Sequence, residues 1–449
     1  MKLSRAIPAG VVDAGLASLA SFVLNLYAIG KWESEDPTIL GIYFLYVTAF
    51  IMASTVPTQL LFVPAEKVTL DVPRPARVAL FGGIARLGMP VAGAAAGLIG
   101  FATLVGFSKG VTWADQAPFL VTAAIATVFS PLQNHARRLL HLAGHSWAAA
   151  SVSLVQVVTA ATTLILLLRT SIAAQWLPIG SLAVANVVSV GVAAAITHRF
   201  GRTIDSPSRQ IVEQTRSRIG HRELAPSGRW LVGTGIVSSG NNFLVESAVS
   251  LLAGLPALAL AGSAKTVAQP ILVLANGLRS VLGPPSMEAA KARDQAAARR
   301  VRRTFAMLMA GGVIGYVAIA GFDWVGNPLA ALVETAYTVP FLVALTIAAN
   351  GLNGAAFPGR MELIGAGKER SLFRVELQAN IAQLGVAIIA AAAATSTTAG
   401  SFARPVAFAV LGIGRIVGYG KALDVHYDEP TVPTDTAVAS SPPPEDPPS

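Results

Sequence analysis

Residues Pro118–Ala126 read PFLVTAAIA, and residues Pro340–Ala348 read PFLVALTIA. Six of the nine positions agree in place, at an offset of 222. One short match in a chain rich in Ala and Val carries little weight, so recurrence of the offset is the test. It does recur: Ala114 pairs with Ala336, Arg138 with Arg360 and Glu66 with Glu288. With a slip of one, Gly41 pairs with Gly262, Pro64 with Pro285, and Ala143–Gly144 with Ala366–Gly367. The two halves of the chain are weakly similar copies of one unit.

Composition says what kind of unit. The chain is 53% hydrophobic and 13% charged, with a mean hydropathy of +0.60. A soluble chain carries about a quarter charged residues. Apolar runs of membrane-crossing length recur throughout, and the short alternating segments of a spanning barrel are absent. The pattern predicts an all-α polytopic membrane protein with spans at 7–30, 39–63, 84–107, 117–134, 147–168, 175–197, 230–253, 257–281, 304–322, 337–357, 373–394 and 401–420. The first of these has features of a signal peptide, but Asp13 interrupts it and the duplication requires it, so it is read as a retained span.

Twenty-six of the 33 Lys and Arg residues fall on one side of these spans, four on the other, and three within them. The positive-inside rule then puts both termini in the cytoplasm of a cell membrane. The basic charge is read as topogenic and as contacting anionic membrane lipids. No aromatic-interleaved basic patch accompanies it, so nucleic acid is not an expected partner. There is no Cys, which excludes disulfides and thiolate sites. The organisation expected is a six-helix lobe (1–198), a basic cytoplasmic linker (199–229), a second six-helix lobe (230–423) and a disordered tail (424–449) rich in Pro and acid. Six crossings per half is an even number, so the halves are parallel repeats related by a pseudo-twofold axis along the membrane normal. Two such bundles splay as a V around a central cavity lined by spans 1, 2, 7 and 8.

Polar groups inside spans are costly and face a cavity or each other. Ser238, Asn242, Glu246 and Ser250 form one stripe on span 7, flanked by Asn241. Lys265, Gln269, Asn276 and Ser280 form another on span 8. Glu246 and Lys265 lie at matching depths from the outer end, which allows an ion pair between adjacent helices. Asn25, Asn350 and Asn380 are further candidates for the cavity wall, with Gln156, Asn353, Glu376 and Gln383 as candidate interhelical hydrogen-bonders. Asp13 is either a proton or cation site or simply solvated. Gly93 and Gly97, like Gly311 and Gly315, have the spacing of close helix packing. His135, His141 and His145 have no carboxylate near them in sequence, so no metal site is expected. No nucleophile elbow, phosphate loop or HExxH is present, and neither an enzyme nor a cofactor is expected.

The ordered set of features resembles the polysaccharide-biosynthesis exporters, the O-antigen-type flippases of the multidrug/oligosaccharidyl-lipid/polysaccharide (MOP) superfamily. It is carried by the stretch ETAYTVPFLVALTIAANGLNGAAFPGRMELIGAGKERSLFR (Glu334–Arg374), with its Ala-Tyr before span 10 and AGKER before span 11, and by GLPALALAGSAKTVAQPI in spans 7–8. The resemblance implies flipping of an undecaprenyl-linked glycan, with a glycan polymerase or glycosyltransferases as possible partners. It also implies a cavity cation that holds the pyrophosphate, a role that Lys265 matches. The first half has no intramembrane basic counterpart. The alternatives are a multidrug or cation antiporter of the same superfamily and a membrane-embedded glycosyl- or acyltransferase.

Overall fold

The computed structural model describes residues 3–32, 37–108, 111–327, 329–330 and 337–428. Helices α1 (Leu3–Trp32) and α2 (Pro37–Pro57) come first. Pro57 lacks an N–H, and the chain continues through a single π-helical turn, Thr58–Phe62, into α3 (Val63–Val68). Two 3₁₀ segments, Thr69–Asp71 and Arg74–Leu80, lead to α4 (Phe81–Ala96) and α5 (Gly100–Ser108). Then come α6 (Trp113–Leu142), α7 (Ser146–Leu168), α8 (Leu177–Arg202) and the short α9 (Ser206–Arg218). The second half holds α10 (His221–Ala253), α11 (Leu255–Lys291), α12 (Gln295–Ala320), α13 (Leu342–Ala355), α14 (Phe357–Gly365), α15 (Glu369–Ala392), α16 (Thr397–Ser401) and α17 (Ala403–Asp428). The described residues contain no strand.

Among the described residues, seven helical segments are long and apolar enough to cross a membrane by length and composition alone. The remaining expected crossings are also helical. They carry intramembrane polar residues (α6, α10, α11) or are broken at Pro57 and at Ala356–Pro358. Two boundaries differ from expectation. The expected linker is largely helical: α9 lies inside it, and α10 begins at His221 rather than at 230. At the other end α17 runs on to Asp428, and the rest of the expected tail lies outside the described residues.

The duplication reappears in the packing. In the first half α1 packs on α7, α7 on α8, α6 on α8, α4 on α6 and α2 on α6. The corresponding second-half pairs are α10 on α15, α15 on α17, α13 on α17, α12 on α13 and α11 on α13. The repeated Ala-Gly is a helix stop used twice. Gly144 (φ 88°) ends α6, with His145 N–H donating to the Leu140 carbonyl at 2.8 Å. Gly367 (φ 72°) ends α14, with Lys368 N–H donating to the Leu363 carbonyl at 2.9 Å. Each is a left-handed cap that suits glycine. The PFLV copies diverge instead. Phe119 is buried inside α6 against Trp32, Tyr43 and Tyr46, whereas Phe341 precedes α13 at φ 66° and is exposed.

The two lobes meet near one end, where most of the Lys and Arg lie, here called the basic end. Helix α1 crosses α11 at Gly10 and Gly277. A Cβ on Gly277 would sit 2.7 Å from Val11 Cα, so this crossing needs glycine. The π-turn crosses α10, where a Cβ on Gly228 would meet the Leu60 carbonyl. Ion pairs clasp the same end. Lys67 Nζ lies 3.0 Å from Glu369, Arg77 Nη1 2.6 Å from Glu288, Arg74 Nη2 3.3 Å from Glu288, and Lys291 pairs with Asp71. Each joins a residue of the first half to one of the second. Away from this end the helices separate as a V, and Phe22, Ile51, Met52 and Leu244 remain exposed. The glycines expected at close packing are not there: a Cβ on Gly93, Gly97, Gly311 or Gly315 would meet nothing within 4 Å. Four-residue spacing puts glycines on one face of a helix but does not say which face has a neighbour.

Candidate functional site

The arms of the V enclose a cleft, and the second lobe carries a charged group beside the α10–α11 turn. Helices α10 and α11 form a hairpin around Gly254 alone, which takes φ 90°. Glu246 lies eight residues before Gly254 and Lys265 eleven after it, so the two sit about one helical turn apart in depth and their long side chains span the difference. Lys265 Nζ lies 3.6 Å from Glu246 Oε1, so the expected pair forms, but loosely. The tighter partner of Glu246 comes from elsewhere: Arg404 Nη2, at the start of α17, donates to the same oxygen at 2.9 Å. The side chains of Lys265 and Glu246 are 49% and 42% exposed, and that of Arg404 is 16% exposed. The group is a triad with a net charge of +1. Asn242, one helical turn from Glu246, is exposed, as is Gln269, one turn from Lys265.

The first lobe holds a cavity of about 290 Å³ lined by Arg137, by apolar side chains such as Phe50 and Ile51, and by hydroxyls and amides, among them Ser21, Thr55, Gln59 and Asn186. Its amides are linked. Gln133 Nε2 donates to Gln156 Oε1 at 2.8 Å, and Gln156 Nε2 donates to Asn186 Oδ1 at 2.8 Å. Gln59 Oε1 and Ser54 Oγ are buried and find no hydrogen-bond partner among the described residues. Such a surface offers acceptors to a ligand rich in hydroxyls.

In each lobe a buried carboxylate is neutralised by an arginine. In the first lobe Asp13, 1% exposed, accepts from Arg137 Nε at 2.8 Å and Nη2 at 2.7 Å, and from Ser153 Oγ at 2.6 Å. His141 Nε2 lies 3.0 Å from the same carboxylate. Asp13 is therefore an anchor between α1, α6 and α7 and is not solvated. The histidine region does have carboxylates beside it in space, since Glu66 also lies 3.5 Å from His135 Nδ1. In the second lobe Glu376 accepts from Arg415 Nη2 at 2.7 Å and Nε at 3.1 Å, and also from the Tyr419 hydroxyl. Arg415 Nη1 further donates to Asn353 Oδ1 at 3.0 Å. In hydrocarbon such bonds, rather than hydrophobic burial, hold helices together.

The other sequence candidates divide by contact. Asn25 accepts from the Tyr43 hydroxyl at 2.5 Å and ties α1 to α2. Asn241 donates to Gln383 at 2.7 Å, Asn350 to the Ala268 carbonyl at 3.1 Å, and Asn380 to the Glu376 carbonyl at 2.7 Å. These are interhelical or local ties within a lobe. Asn276 is half-buried, and its carbonyl accepts from Ser280. The structure thus brings Lys265 and Glu246 together, with Asn242 and Gln269 one turn away, and gives Asn25, Asn241, Asn350 and Asn380 partners within their own lobes. Sequence reasoning missed Arg404 and the Asp13–Arg137 and Glu376–Arg415 pairs. The available signal was the cost of an intramembrane charge, which obliges each one to find a partner. Among the described residues no group of three or more His, Asp or Glu is placed to hold a metal ion.

No protein-family model matches the sequence, and no curated protein matches it. Solved structures do match in fold. A variant of the Vibrio cholerae MATE transporter VcmN superposes with a TM-score of 0.69 at 14% identity, over 95% of this chain and 97% of that one. An outward-facing multidrug resistance MATE family transporter of the MOP superfamily gives 0.65 at 14% identity, over 94% and 96%. A MOP superfamily transporter from Pyrococcus furiosus gives 0.61 at 13% identity, over 94% and 96%; its reversed binding-pocket polarity is described as suggesting a different function. Likeness over nearly the full length of both chains establishes that this protein shares the fold of those transporters.

Proposed function

We propose that this protein is an alternating-access transporter that flips an anionic lipid-linked oligosaccharide across the cell membrane. One observation carries the choice of substrate. Three acidic residues lie within the described spans: Asp13, Glu246 and Glu376. Each is held by an arginine, Arg137, Arg404 and Arg415 respectively, at 2.7–2.9 Å. Lys265 and Arg279 are then the intramembrane cations left without a carboxylate of their own among the described residues, and Lys265 is half exposed. Such a cleft repels a cationic drug and attracts a phosphate-bearing headgroup. The neutral hydroxyls and amides of the facing cavity suit sugar hydroxyls. The likeness to the polysaccharide exporters in Glu334–Arg374 supports the same reading.

The excess of Lys and Arg supports placing the basic end in the cytoplasm. The clasped state then faces outward, the conformation from which a glycan would be released. A second reading, a multidrug antiporter, is supported by the fold shared with a multidrug resistance MATE transporter. Gene deletion separates the two. Flipping predicts loss of a surface glycan while its lipid-linked precursor accumulates on the cytoplasmic leaflet. Unchanged glycan together with altered drug tolerance would replace this reading with the antiporter.

A further inference from the structure

A roomy cavity lies outside the cleft, at the basic end. Helix α8 runs past its apolar stretch to Arg202, the chain turns at Thr203–Asp205, and α9 folds back beside the start of α4. Val212 and Thr215 bury the inner face of α9 on the 3₁₀ segment Arg74–Leu80. Arg216 fastens it, with Nη2 donating to the Ala79 carbonyl at 2.9 Å. These three elements enclose about 730 Å³. The floor is apolar, with Val78, Ala79, Phe81 and Ala194; the rim carries the guanidinium groups of Arg202, Arg209 and Arg216 together with His198. Arg216 also borders a second cavity of about 250 Å³, where Ile84 and Leu87 lie beside Arg86.

None of these arginines has a carboxylate partner among the described residues. Arg209 reaches only the Ile204 carbonyl, at 3.5 Å. Asp205 and Glu213 belong to the same segment and form no ion pair with them. Several guanidinium groups around one hollow repel each other, and an anion between them removes that repulsion. The hollow is far larger than a bare phosphate and has an apolar floor, so its complement is an amphiphile. Its position fits: Phe81 enters span 3 and Ala194 leaves span 6, at the depth of lipid headgroups.

We propose that the hollow between α8, α9 and the start of α4 binds the phosphodiester headgroup of an anionic membrane lipid. Arg202, Arg209 and Arg216 surround the phosphate, and the upper acyl chain covers Val78 and Phe81. Because α9 links the two lobes, the bound lipid anchors that linker at the membrane surface. The site is independent of what the central cleft carries.

The test uses the full-length protein in detergent micelles supplemented with dioleoylphosphatidylglycerol, dioleoylphosphatidylcholine or inorganic phosphate. Phosphatidylglycerol is expected to raise the melting temperature and to remain bound in native mass spectrometry, while the other two have no effect. Arg202→Gln with Arg209→Gln should weaken phosphatidylglycerol binding about tenfold or more. Arg202→Lys with Arg209→Lys should retain most of it. Arg218→Gln with Arg222→Gln removes the same charge outside the hollow and should leave binding intact. Unchanged binding in the first double variant, or equal loss in the last, overturns the proposal. So does an equal response to phosphatidylcholine, and an equal response to inorganic phosphate would assign the hollow to a soluble anion.

Discussion

Arg137 grips Asp13 with two nitrogens, Nε to Oδ1 at 2.8 Å and Nη2 to Oδ2 at 2.7 Å. The two residues are 124 positions apart and both are buried. This two-pronged geometry fixes α1 against α6, as the contact of Arg415 with Glu376 fixes α15 against α17.

Removing one partner should therefore cost more than removing both. Asp13→Asn strands the Arg137 charge and is expected to lose roughly 3–5 kcal/mol. Adding Arg137→Gln should recover much of that loss. Thermal melting in detergent reads both variants, and equal stability of Asp13→Asn and wild type would deny the pair any anchoring role.

The triad changes how Lys265 has to be tested. Lys265→Ala should abolish transport with normal membrane insertion, and Lys265→Arg should keep part of it, since charge is kept while geometry changes. Neutralising Glu246 and Lys265 together would still leave Arg404 unmatched, so the control for a purely structural role adds Arg404→Gln. Near-normal transport by that triple variant would remove Lys265 from the substrate site.

The clasp at the basic end should set how readily the lobes part there. Its exposed pairs are each worth about 0.2–1 kcal/mol. Lys291→Glu opposite Asp71 is then expected to shift the closed population up to roughly fivefold, and Asp71→Lys added to it should restore the balance. Because the chain has no Cys, spin labels at Thr203→Cys and Ala292→Cys report the separation directly. An unchanged distance distribution in the single reversal would rule the clasp out as a gate.

Glu362 predicts a pH dependence. It is fully buried at the basic end, 3.4 Å from Arg302 Nε and from the Tyr427 hydroxyl. Burial pushes its carboxyl up to about 7, against the opposing pull of Arg302 and Tyr427. A raised carboxyl favours the protonated folded state. Its contribution is complete below the ordinary value of 4.5 and is lost as pH rises through about 7. Melting temperature should fall across that window in the wild type and fall less in Glu362→Gln. Parallel curves would mean that Glu362 ionises without a penalty.

The helical spans and the doubling were legible in the sequence, because each is a local or periodic property. A run of about twenty apolar residues has few alternatives to a membrane helix, and a repeated Ala-Gly at Gly144 and Gly367 reads as the same helix stop twice. Glu246 and Lys265 could be paired in advance because consecutive helices joined at Gly254 must lie side by side. What the sequence did not determine is which faces meet at long range. Arg404 is 158 positions from Glu246 and Arg137 is 124 from Asp13, and no periodicity links them. Only lobe packing decided that these arginines would consume the carboxylates, that Gly10 and Gly277 rather than Gly93 and Gly97 would form a close crossing, and that Lys265 would share Glu246 with Arg404. The physical reason is that hydropathy prices each residue separately, whereas a buried charge is tolerated only where the tertiary fold brings its partner within hydrogen-bond reach.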